Sequence, residues 1–153
     1  AWGRKRGKKS GCITFARPEG IILLNDIIYF TCTSGGSNRL GQIWKYSINK
    51  NKQDTLELIY ESLSKAKLSM PDNIIIAPWG DIIVCEDGKG RDRLVGMKLD
   101  GSLYYIASNA LNNSEFAGAT FSPDGKLLFV NIYDPTLTLA IKGPWEELSG
   151  WYI

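Results

Sequence analysis

The 153-residue sequence contains no histidine. The usual zinc triads, the Ser-His-Asp triad and imidazole acid–base chemistry are therefore closed to it. Hydrolytic chemistry would have to come from carboxylates, arginine and bound metal. Those residue types fall in short segments: Arg17-Pro18-Glu19-Gly20, Pro71-Asp72-Asn73 and Cys85-Glu86-Asp87-Gly88. Carboxylate and carbonyl oxygens gathered from several strands suit a hard cation such as Ca²⁺ or Mg²⁺. Several carboxylates stay ionised together only with a cation among them. Glu19, Asp72, Asn73 and Glu86 are accordingly the expected metal-facing residues. Arg17 stands two residues before Glu19, and on an extended strand the two point the same way. A guanidinium beside a metal-bound carboxylate suits a phosphate: the metal takes one oxygen and the arginine fork grips two others. Such a pair would also offset charge that develops in phosphoryl transfer. Each segment has a plainer reading as a turn, an Asx cap or a simple ion pair. The joint reading is favoured because the acids fall at one phase of successive repeats.

The elements that must position these residues read as all-β. Apolar runs are short and bounded by Gly, Asn, Asp and Pro: Ile27–Phe30, Ile82–Cys85 and Leu127–Val130, each after a turn. Lys45–Ile48 and Val95–Leu99 read as partner strands, the latter entering an Asp100-Gly101 hairpin turn. Leu56–Leu63 is the best helix candidate, with an extended outer strand as its alternative. Ile27, Ile82 and Leu127 align at spacings of 55 and 45 residues, a period typical of β-propeller blades. The expected fold is a partial propeller of about three blades, with three unrelated hairpins in a sandwich as the alternative. Propellers close with roughly four to eight blades. The remaining blades are thus expected from a longer parent chain or from another copy. Asp124, in Ser-Pro-Asp-Gly, reads as a hairpin turn, and Asn131 is placed at the position matching Glu86.

Composition supports one globular domain: 44% apolar and 22% charged residues. The net charge of +2 conceals an asymmetry, since Arg4, Lys5, Arg6, Lys8 and Lys9 all lie in the first nine positions. Residues 1–11 are expected as a basic tail and residues 12–153 as the folded body. The body has 13 basic against 16 acidic residues and lacks an aromatic stacking platform for nucleic acid. Cys12, Cys32 and Cys85 have no CxxC spacing, which disfavours a zinc knuckle or disulfide framework. No apolar run reaches the length of a membrane span. No signal-like segment opens the sequence, so an export signal would lie upstream.

The ordered set of Arg17-Pro18-Glu19-Gly20, Pro71-Asp72-Asn73, Cys85-Glu86-Asp87-Gly88, Gly118 to Gly125 and the late Ala140-Ile141-Lys142-Gly143-Pro144-Trp145 resembles the C-terminal part of PhoX-type alkaline phosphatases. The resemblance implies a β-propeller phosphomonoesterase that uses Ca²⁺ and Fe³⁺ and works in the periplasm or outside the cell. It implies metal contact by Glu19, phosphate contact and a catalytic role for Arg17, and ligand or pocket roles for Asp72, Asn73 and Glu86. The family's iron-binding cysteine lies in the N-terminal half. Cys85 does not match it and reads as a small buried residue. The rival readings are a non-catalytic propeller scaffold and a calcium-dependent propeller lactonase or phosphotriesterase.

Overall fold

The turn-punctuated apolar runs form strands in a computed structural model that describes residues 2–149. The first sheet holds β1 (Pro18–Leu24), β2 (Ile27–Cys32), β3 (Gln42–Ser47) and β4 (Thr55–Glu61). The second holds β5 (Pro71–Ile76), β6 (Ile82–Glu86), β7 (Arg93–Met97) and β8 (Leu103–Ser108). The third holds β9 (Phe116–Phe121), β10 (Leu127–Ile132) and β11 (Leu137–Lys142). Every strand pairs antiparallel with its neighbour in sequence, so each sheet is a simple meander. The all-β expectation holds, and the Leu56–Leu63 helix candidate resolves to strand β4. Short helices α1 (Trp2–Lys9) and α2 (Trp145–Ser149) flank the sheets, so the basic segment is helical where a tail was expected.

The repeat exists, but its phase differs from the sequence alignment by one residue. Three backbone bonds set the phase: Thr33 N donates to Arg17 O at 2.9 Å, Asp87 N to Met70 O at 2.9 Å, and Tyr133 N to Glu115 O at 3.1 Å. Arg17, Met70 and Glu115 are therefore equivalent positions leading into β1, β5 and β9. Counting back from Thr33, Asp87 and Tyr133 makes Ile28, Ile82 and Leu128 equivalent, not Ile27, Ile82 and Leu127. The cause is hairpin length: the last register pairs of the strands before the turns are Leu24↔Ile27, Ile76↔Ile82 and Phe121↔Leu128. By the same count Ile132 matches Glu86, and Asn131 matches Cys85, which corrects the expected placement of Asn131. Exposed Asn131 accepts a bond from the Thr138 hydroxyl at 2.8 Å.

Side-chain alternation along β6 packs the second sheet on both faces. Ile82 and Val84 join Tyr29, Ile43 and Ile74 in one core layer. Ile83 and Cys85 join Leu128, Val130 and Ile132 in the other. Each such fully buried aliphatic side chain contributes about 1.5–3 kcal/mol. The first strands of the three sheets lie side by side through the contacts of β1 with β5 and of β5 with β9. Here β1 and β5 approach closely: a Cβ on Gly20 would sit 2.2 Å from the Asp72 carbonyl oxygen. The buried Thr31 hydroxyl bridges the same gap. It accepts from Gly20 N at 2.9 Å and donates to Asp72 O at 2.6 Å. Between β5 and β9 the link is Asn73, whose Oδ1 accepts from Ala119 N at 3.1 Å.

Candidate functional site

Each sheet's first strand carries one extra residue relative to its second. Pro18 to Ile21 spans three steps against two from Cys32 to Phe30, and Pro71 to Ile74 three against two from Glu86 to Val84. In the third sheet Ala117 to Thr120 spans three against two from Asn131 to Phe129. Such bulges bend the strand and re-aim side chains. Glu19 occupies the first bulge and Asp72 the equivalent place in the second. Arg17 and Met70, each preceding a proline, adopt left-handed φ values of 49° and 52°. That region is unfavourable for non-glycine residues and often marks functional geometry.

Glu19 and Asp72 from the first two bulges, Asp87 just after β6 and Glu115 just before β9 form the acidic surroundings of Arg17. Its Nε donates to Glu19 Oε1 at 2.8 Å and its Nη2 to Asp87 Oδ2 at 2.9 Å. Glu19 and Asp72 face each other as carboxyls within hydrogen-bonding range. Burial first, then Glu19, push Asp72 up to about 7, and Glu115 and Asp87 add repulsion. The Asp72 hydrogen bond, followed by the Arg17 guanidinium, holds Glu19 below the ordinary glutamate range despite partial desolvation. Of the two carboxyls, Asp72 is thus the one pushed up and Glu19 the one held down. Glu115 is raised by burial and by neighbouring Asp87. Arg17 is raised, chiefly by Asp87 and against its own desolvation, with Glu19 adding to the effect. Two carboxylates fix the guanidinium while leaving three of its five N–H donors for another acceptor.

Glu86 does something else. It is 1% exposed. Its Oε1 accepts from Ser69 N at 2.6 Å and Arg93 Nη2 at 2.6 Å, and its Oε2 from Arg93 N at 3.0 Å and Arg93 Nε at 2.7 Å. A carboxylate has about four lone-pair sites, and all are taken. The expected metal contact by Glu86 gives way to a buried bidentate pair that anchors β7. The next residue, Asp87, has left the strand and reaches Arg17. Of Glu86-Asp87, the member that reaches Arg17 is Asp87, which the sequence did not single out; nor did it single out Glu115, which lies beside Asp87. The signal was available in the repeat, because Arg17 and Glu115 share one position, but the one-residue phase error hid it. Asn73 spends its carbonyl oxygen on the third sheet. The Cys85 thiol is buried and pushed up to about 12, so it stays protonated. Asp124 closes its turn, accepting from the Ser122 hydroxyl at 2.6 Å.

The donor chemistry, oxygen-only and with Asp72 and Glu115 raised first by burial and then by neighbouring acids, fits a hard cation. The acids meet in pairs, Glu19 with Asp72 and Asp87 with Glu115. Among the described residues, no three His, Cys, Asp or Glu side chains form a ready-made ligand set. Glu19 and Asp72 could therefore hold an ion only with further ligands from elsewhere.

Comparison with protein families gives a match to the family described as Alkaline phosphatase PhoX, over residues 2–136. The match includes the basic segment that was set apart as a tail and ends before Gly143-Pro144-Trp145. No curated protein and no solved structure matches the chain.

Proposed function

Because the chain belongs to the PhoX alkaline phosphatase family, we propose that it forms part of a metal-dependent phosphomonoester hydrolase whose phosphate-binding centre is built on Arg17. The observation that carries this reading is the clamping of Arg17 by Glu19 and Asp87 at 2.8 and 2.9 Å, with Asp72 and Glu115 beside them. An arginine held in place before substrate arrives loses little freedom on binding a phosphate. Its free N–H donors would orient the phosphoryl oxygens and offset the charge that grows on them. Glu19 and Asp72 would hold a hard cation, with Ca²⁺ the best fit to carboxylate donors. Such a cation, when bound, supplies Lewis acidity to a phosphoryl oxygen. Fe³⁺ belongs to the same reading through the family resemblance, with its ligands from outside these strands.

In this reading the three meanders are blades of a propeller. The first strands line the channel, and the ring is completed by N-terminal blades of a parent chain or by a second copy. The protein acts on small phosphomonoesters in the periplasm or outside the cell. Hydrolysis of p-nitrophenyl phosphate by the full-length protein, with and without Arg17→Ala, tests the proposal. A loss of about 10²-fold or more in kcat/KM is expected from removing a donor to the developing charge. Unchanged turnover would remove Arg17 from the chemistry.

A further inference from the structure

Next to Asp87 the chain makes a loop, Gly88-Lys89-Gly90-Arg91-Asp92, between β6 and β7. Under it lies a cavity of about 250 Å³ lined by Lys65, Ser69, Lys89, Arg91, Arg93 and Ser108, together with Glu86, Gly88 and Asp92. Its charges are unevenly committed. Arg93 and Glu86 neutralise one another, and Arg93 also fixes the neighbouring loop by donating to Ala66 O at 2.7 Å and Lys65 O at 2.8 Å. Buried Asp92 spends Oδ1 on Gly88 N at 2.9 Å, which pins the loop. Burial pushes its carboxyl up to about 6, with Glu86 and Asp87 adding repulsion. Among the described residues, Lys65, Lys89 and Arg91 make no ion pair. The cavity therefore offers three free cations with serine hydroxyls in its wall. A Cβ on Gly88 would come within 2.8 Å of the Ser69 hydroxyl and 3.1 Å of Asp92 Oδ1, so the loop lies in close contact with the cavity wall.

Cations that are uncommitted, converge on a concave surface and stand with hydroxyls and a fixed arginine are the elements of an oxyanion site. We propose that this cavity binds a phosphate group other than the one held at Arg17. The protein would then favour ligands carrying two phosphates. The inference rests on the Arg17 reading only for the location of the first phosphate. The second could be another group on the same molecule or a free orthophosphate ion.

Calorimetric titration distinguishes these cases and needs no turnover. The full-length protein, Lys89→Ala/Arg91→Ala and Arg17→Ala are each titrated with inorganic pyrophosphate and with orthophosphate. Both altered loop residues are exposed, and retention of the wild-type thermal midpoint verifies folding. The expected result is pyrophosphate affinity about tenfold or more weaker in the loop variant, as two charge-assisted contacts warrant. Equal weakening for orthophosphate would identify a single-phosphate site, and weakening for pyrophosphate alone a ligand that spans both. Either supports the cavity. Undiminished binding in the loop variant, or no binding by the wild type, overturns it. Loss confined to Arg17→Ala also overturns it while leaving the phosphomonoesterase reading intact. Failure of p-nitrophenyl phosphate turnover bears on that reading and not on the cavity.

Discussion

Asp72 holds its proton to a higher pH than an ordinary aspartate because it is half-buried and faces Glu19. Its carboxyl is near 4 in the unfolded chain and about 7 in the fold. Between those values the folded state binds more protons than the unfolded one, so this group's contribution to stability declines as pH rises through the window and levels off above it. Without added metal, the thermal midpoint of Asp72→Asn should fall less than that of the wild type between pH 5 and pH 8. Parallel curves would show that Asp72 is not the group in question. A cation that binds the ionised pair reverses the penalty by mass action. Added Ca²⁺ should raise the wild-type midpoint more at pH 8 than at pH 5, measured by differential scanning fluorimetry. An increase that is the same at both values would place the ion elsewhere.

At the level of strands and turns, two contacts decide whether the site forms. Gly20→Ala puts a methyl group 2.2 Å from the Asp72 carbonyl and must force β1 and β5 apart, at about 1–3 kcal/mol of stability. Glu86→Ala leaves the partly buried Arg93 guanidinium without its carboxylate and should cost about 3 kcal/mol, read as a shift in the urea midpoint. A neutral effect would contradict the structural role assigned to Glu86. These contacts also show what the sequence could and could not disclose. Strand runs and turns were legible because period-2 apolar patterning and Gly, Asn and Pro punctuation are local. Glu19 and Asp72 were legible because they lie at one phase of the repeat, and Arg17 because it stands two residues before Glu19. The exchange of Glu86 for Asp87 was not, because a strand's end decides which of two adjacent acids faces the site. Nor was Glu115, because unequal hairpins shift the register, and register needs partner strands to define it.

At the scale of the described residues as a whole, the second and third sheets each have one face covered by the preceding sheet. Ile74, Ile82, Val84, Val95 and Met97 of the second sheet are buried in the layer shared with the first. Their counterparts on the first sheet are Ile21, Ile28, Phe30, Trp44 and Tyr46, and that face is open enough to leave Ile21 67% and neighbouring Leu23 61% exposed. Phe15 covers part of it, edge-on to Phe30 at 5.0 Å and to Trp44 at 5.4 Å. An apolar sheet face of this kind marks an interaction surface. The isolated 153-residue chain should sediment as larger species with rising concentration, and Leu23→Glu with Leu58→Lys should suppress this. A monomer at every concentration would argue against a ring that continues past the first sheet. The site and the scaffold meet in the adjacent acids at the end of β6, so the most direct measurement compares p-nitrophenyl phosphate turnover in Asp87→Asn and Glu86→Gln of the full-length protein. Asp87→Asn should lose about 10²-fold in kcat with its fold intact, because Arg17 loses one of its two carboxylate anchors. Glu86→Gln should lose stability and keep its kcat in the folded fraction. The reverse pattern, with Glu86 needed for turnover and Asp87 dispensable, would contradict a centre built on Arg17.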